Sequence, residues 1–116
     1  MKFSAPMEST GASPAPITPT LSHVTVFKAV ANPLRWQLLL MLADGRMLSA
    51  TQAAGLLHRD IDIVIKHLNI LRNAGVLDRK TSDQDARFLL YFIPQQWRLR
   101  AGVLDFGCCI LNLPPS

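Results

Sequence analysis

The chain has 116 residues, about the length of one compact domain, and 49% of them are apolar, enough to build a core without covalent staples. Twelve Lys and Arg against eight Asp and Glu leave a net charge of +4, concentrated between Arg59 and Arg100, which suits a polyanionic partner but is common among ordinary domains. No apolar run approaches the roughly 20 residues of a membrane span, the N-terminus lacks the apolar core of a secretory signal, and the neighbouring Cys108 and Cys109 cannot staple distant segments, so a cytoplasmic setting without a membrane partner is expected.

Residues 1–19 are rich in Ser, Thr, Pro, Ala and Gly, show no period and are expected to form a disordered arm. A first helix is expected over Leu21 to Ala31, with an apolar stripe of Val24, Phe27, Lys28 and Val30. Asn32-Pro33 marks a boundary, Asn as a cap and Pro at the first helical position, and a second helix runs to Ala43. That helix is apolar nearly all round, as a central buried helix would be. Asp44-Gly45 ends it, and Arg46-Met47-Leu48 reads as a short extended segment.

Ser49 and Gln52 have the spacing of a capping box, which starts a short, Ala-rich third helix from Ala50 to Leu57. His58-Arg59 makes a tight connection to a fourth helix over Asp60 to Ala74, capped by Asp60 and closed by Gly75. Ile61, Val64, Ile65, Leu68 and Leu71 fall on one face of it, while Asp62, Lys66, Asn69 and Asn73 form a polar face opposite. Beyond Gly75 the period changes to two. Val76 to Thr81 and Arg87 to Ile93 read as a hairpin closed by Ser82 to Asp85. A turn of helix is expected around Trp97. The apolar end from Gly102 to Leu113 is expected to be an extended segment packed on the domain or on a second chain. The domains are therefore an arm over 1–19, a folded unit over 20–97 and a tail over 98–116, in a mainly α protein with a small β-hairpin (α+β).

Helix, helix, strand, helix, tight turn, helix and hairpin is the order of a winged helix-turn-helix. Phe27-Lys-Ala-Val-Ala-Asn-Pro-Leu-Arg35 and Lys66-His-Leu-Asn-Ile-Leu-Arg-Asn-Ala-Gly-Val76 resemble two signatures of the ArsR/SmtB-like bacterial repressors over about residues 21–93. The resemblance implies a homodimeric DNA-binding repressor. Its fourth helix would read the operator, with Asp62, Ile63 and Lys66 facing bases and His67 at the family's usual histidine position. It does not extend to metal sensing. Ser49 to Leu57 holds no Cys or His, and Pro94 with the tail stands where the family has a long fifth helix.

A helix entering the major groove needs donors and acceptors in its first two turns. Lys66 can reach a guanine edge or a phosphate, Asp62 can accept from a cytosine amino group, and Ile63 can meet a thymine methyl. Arg59 stands just before this helix. Asn69 would contact the backbone, and Lys80 and Arg87 flank the wing tip, where phosphates would lie. Ser49, Thr51 and Gln52 open the third helix, whose amides could hold a phosphate, although capping alone accounts for Ser49 and Gln52.

His23, His58 and His67 lack ligand spacing, so no metal site or cofactor is expected. With no nucleophile–base pair, paired carboxylates or Gly-rich phosphate loop, neither is an enzyme. Cys108 and Cys109 are the outliers. Two thiols can bind a soft metal or be oxidised, but on a strand they would point to opposite faces. The sequence thus reads as a repressor of double-stranded DNA targets. The alternatives are a winged-helix module that binds protein, or a DNA-binding sensor responding through Cys108 and Cys109.

Overall fold

Four helices and two small antiparallel sheets make up the described part of the chain, residues 21–114 of a computed structural model; the expected arm over 1–19 lies outside the described residues. Helices α2, α3 and α4 each start where the sequence supplies a side-chain cap, whereas Ser22 before α1 makes no cap bond. Helix α1 (His23–Val30) is followed at once by α2 (Pro33–Leu42), whose Asn32 cap accepts from the amides of Leu34 and Arg35 at 2.9 and 3.1 Å. Helix α3 (Ala50–Leu57) opens on the full capping box. The Ser49 hydroxyl accepts from the Gln52 amide at 3.1 Å, and the Gln52 side chain accepts from the Ser49 amide at 2.9 Å. Helix α4 (Ile61–Asn73) is capped by Asp60, which accepts from the Asp62 amide at 2.9 Å.

The face buried by α1 is not the expected stripe. Val26 and Ala29 enter the core, whereas Val24 and Phe27 are 61% and 50% exposed. Both lines are apolar at helical spacing, and the packing against α2 and α4 selects the smaller pair. Helix α2 buries Leu34, Leu38, Leu39 and Leu42, and α4 buries Val64, Leu68 and Leu71 of its expected face, while Ile61, expected on that face, is 39% exposed.

Arg35, at the start of α2, ties three helices together. Its guanidinium donates through Nε to the Ala29 carbonyl and through Nη2 to the Lys28 carbonyl at 3.2 Å, satisfying acceptors that the end of α1 leaves without helical partners. Its Nη1 lies 2.9 Å from Nδ1 of His67 on α4. A guanidinium only donates, so Nδ1 is the acceptor and the His67 proton sits on Nε2. Burial, then the positive charges of Arg35 and Lys66, hold the His67 pKa below its ordinary 6.5.

The wing sheet has the order β1-β3-β2: β1 (Leu48–Ser49) pairs with β3 (Leu89–Phe92), which pairs with β2 (Asp78–Thr81). The hairpin strands are shorter than the sequence suggests. The amides of Val76 and Leu77 both donate to the Leu71 carbonyl, at 3.0 and 3.4 Å, finishing α4 before β2 can begin. Gly75 turns the chain there with φ +87°, and a Cβ on it would stand 2.8 Å from Leu21 Cδ2.

The expected extended tail is instead a second sheet. After a 3-10 turn at Gln95–Trp97 come β4 (Arg98–Arg100), β5 (Val103–Asp105) and β6 (Ile110–Asn112), an antiparallel meander that reverses at Gly102 and Gly107, both with positive φ. The meander completes the core of the domain. Leu104 and Phe106 are fully buried, and Phe106 meets Trp97 edge-on with ring centroids 5.8 Å apart. The Trp97 indole donates to the Gly75 carbonyl at 3.0 Å, and the Leu21 amide donates to the Phe106 carbonyl at 3.1 Å. The end of α4 is thereby fastened to the tail.

Two outcomes follow. Phe106→Ala should cost about 3–5 kcal/mol in urea unfolding, as for a core aromatic; a loss below about 1 kcal/mol would make the tail a detachable appendage. The lowered His67 pKa makes its contribution to stability complete above the unfolded value of 6.5 and lost as pH falls through the folded value. Acidification from neutral pH should therefore lower the urea midpoint more steeply in the wild type than in His67→Gln, whose amide oxygen still accepts from Arg35. Superimposable pH profiles would remove His67 from the brace.

Candidate nucleic-acid interface

The connection between α3 and α4 is as tight as a helix-turn-helix requires. His58 takes a left-handed conformation, φ 54°, and the Arg59 amide donates back to the Ala54 carbonyl at 3.0 Å. Asp60 then starts α4. This sharp reversal leaves the first two turns of α4 uncovered, and Asp62, Ile63 and Lys66 are all exposed there, Ile63 at 45%. Arg59 is exposed at their edge.

Further along α4 the polar face is partly closed over, although Asn73 at its end is exposed. Asn69 is half-buried, and its Oδ1 is fully shielded without a hydrogen-bond partner among the described residues. His67 is half-buried and bonded to Arg35. Neither presents its side chain as Lys66 does, so the exposed reading surface is shorter than the expected polar face. His67 serves to hold the helix.

On the other side of α3 lies a cleft of about 610 Å³, lined among others by Met47, Thr51, Gln52, Lys80, Gln84 and Phe88. It joins the start of α3 to the wing. Ser49 is buried, and its side chain and that of Gln52 are engaged in the capping box, which leaves Thr51, Lys80, Asp83 and Gln84 as the exposed polar groups of this rim. At the wing tip Arg87 is engaged as well. Its Nη2 donates to Asp85 Oδ2 at 2.8 Å, which pulls the Asp85 carboxyl below its ordinary pKa and raises that of Arg87. Among the described residues the only other ion pair is Arg46–Asp44, at 3.0 Å. Arg59, Lys66 and Lys80 are therefore the cations of this surface without a carboxylate partner among the described residues.

Two features of this surface escape the sequence. Phe88 is 48% exposed and lines the cleft beside Lys80, although its place in a run of β-formers suggests a strand interior. Arg35 sits 32 residues from His67, with no local signal that they meet.

The comparisons with known proteins agree with this geometry. The family model HVO_A0114 matches residues 30–92, more than half of the chain. HlyU from Vibrio cholerae is 30% identical, with a TM-score of 0.54 over 60% of this chain and 72% of that one. The transcriptional regulator HlyU from Vibrio vulnificus is 28% identical, with a TM-score of 0.52 over 60% of this chain and 69% of that one. An ArsR-like transcriptional regulator from Rhodococcus sp. is 25% identical, with a TM-score of 0.54 over 61% and 62%. No curated protein sequence matches the chain. The order of elements, the helix-turn-helix with its wing, and these likenesses together place the chain: it belongs to the HVO_A0114 family and to the ArsR/SmtB-like winged helix-turn-helix regulators.

Proposed function

We propose that this chain is a sequence-specific DNA-binding transcription regulator that acts as a homodimeric repressor and reads the major groove with the start of α4. The observation that carries the proposal is the exposure of Asp62, Ile63 and Lys66 on the first two turns of a helix braced at His67 and at its C-terminal end. Side chains on those turns reach base edges when the N-terminal part of a helix enters the groove. Lys66 would donate to a guanine edge, Asp62 would accept from a cytosine amino group, and Ile63 would pack on a thymine methyl. Arg59, Thr51 and Lys80 would meet phosphates on either side, and the cleft between α3 and the wing gives a strand of the duplex room to lie. The dimer would use the outer face of α1, where Val24 and Phe27 stand exposed.

A second reading, docking of a protein partner on the same surface, draws on exposed Leu56, Ile61 and Ile63 around the α3–α4 turn. Duplexes selected from a random pool separate the two. Specific affinity that falls with salt supports DNA reading, and its absence at every salt concentration rejects it.

With the selected duplex, Lys66→Ala should cost about 1–3 kcal/mol and relax the preference at a single base pair. An unchanged anisotropy titration would take Lys66 out of the base-reading set. Lys80→Ala should instead weaken binding about equally for all sequences and reduce the slope of log K against log salt by about 1. A slope equal to that of the wild type would place Lys80 away from any phosphate.

A further inference from the structure

Cys108 and Cys109 lie in the reversal between β5 and β6. The Phe106 amide donates to the Cys109 carbonyl at 3.0 Å, Gly107 takes φ +85°, and Asp105 Oδ1 accepts from the Gly107 amide at 2.9 Å. A strand would send the two neighbouring side chains to opposite faces. The turn instead brings them together, with Sγ of Cys108 donating to Sγ of Cys109 at 3.7 Å. Both thiols are free, and both residues are half-buried with a share of their surface open to solvent.

We infer that this pair is a two-sulfur chelate site for a soft monovalent metal ion of the Cu(I) class. Donor type selects the class of metal, since thiolates favour soft ions over Mg²⁺, Ca²⁺ and Mn²⁺. Donor number narrows it further. These are the only cysteines of the chain, and no group of three or more His, Cys, Asp and Glu able to hold a metal occurs among the described residues. A structural zinc site needs four protein ligands, and a chain offering two thiols suits an ion content with two. Distance agrees. Two metal–sulfur bonds of about 2.3 Å span at most about 4.6 Å, so a pair at 3.7 Å opens by less than about 1 Å to seat an ion between the sulfurs.

The competing fate of two close thiols, a disulfide between them, is opposed by geometry. Adjacent Cα atoms stand about 3.8 Å apart, closer than an ordinary disulfide allows. On loading, the ion replaces both S–H protons, which pass to water. Two thiolates and one monovalent cation leave a complex with one negative charge, and no electron changes hands.

The inference is independent of the DNA reading, and its test is too. The reduced full-length chain is titrated with Cu(I) under anaerobic conditions against bicinchoninate, a chromophoric competitor. It should withdraw about one ion per chain. Cys108→Ser and Cys109→Ser should each lower that affinity by at least about 100-fold while the far-ultraviolet circular dichroism stays that of the wild type. A large excess of Zn(II) should fail to displace the copper. Copper held equally well by the folded serine variants, or displaced readily by Zn(II), would overturn the site. Duplex binding of the copper-free protein is measured separately, so either result can fail without the other.

Discussion

The arrangement of the whole domain depends on one guanidinium. Arg35 opens α2, closes the end of α1 through two carbonyls and reaches α4 at His67. Three helices that meet mainly through interchangeable aliphatic contacts would otherwise be free to slide or rotate on one another. A planar group with donors in a fixed fork sets both distance and angle at once. It also fixes a tautomer, because the imidazole can accept at Nδ1 only while it is neutral. The two stretches that make the chain resemble its family, one ending in Arg35 and one beginning Lys66-His67, thus hold the two ends of a single contact.

At the far end of α4 a second fastening works by different physics. Gly75 is the only residue type that can both turn the chain with a positive φ and leave room for Leu21. Trp97 bonds to the Gly75 carbonyl, Phe106 packs on Trp97, and the Leu21 amide reaches back to Phe106. The ring of contacts closes on itself: residues from before α1, the end of α4 and the tail sheet each cover part of the next. A domain of this size buries little surface per residue. Enlisting the tail supplies apolar area that the helix-turn-helix and its wing lack, and it lets the start of α4 stay bare without loosening the helix.

What the sequence made legible was chemistry acting over three or four residues. The caps at Asn32, Ser49 with Gln52, and Asp60, and the turn at Gly75, could all be read because donor, acceptor and backbone conformation lie close together in the chain. The choice of buried face on α1 could not, since Val24 with Phe27 and Val26 with Ala29 are equally good helical stripes and only the neighbouring helices decide between them. The tail sheet was illegible for a related reason. Strands of three residues are too short to display alternation, and its order depends on glycines that reverse the chain. The same blindness affected the site. Asn69 shares a helical face with Lys66, yet burial separates them, and the vicinal thiols come together only because a turn, and not a strand, carries them.

In the proposed reading the start of α4 carries opposing demands. Asp60 caps the helix, and Asp62 places a second carboxylate in the first turn, where the helix dipole favours negative charge. Those same carboxylates repel the phosphates of any duplex that approaches. With Arg87 engaged by Asp85, attraction falls to Arg59, Lys66 and Lys80. Three cations against the carboxylates of Asp60, Asp62 and, in the cleft beside Lys80, Asp83 give little sequence-independent affinity, because that affinity scales with the phosphates neutralised. Binding then has to be won at the base edges, and Asp62 shows how. A carboxylate near the groove floor is favourable where an amino group of cytosine or adenine meets it, and unfavourable against the acceptors that guanine and thymine present. The residue that weakens binding to arbitrary DNA is therefore the one best placed to sharpen the choice of operator, and the stability it lends to the helix start comes from the same charge.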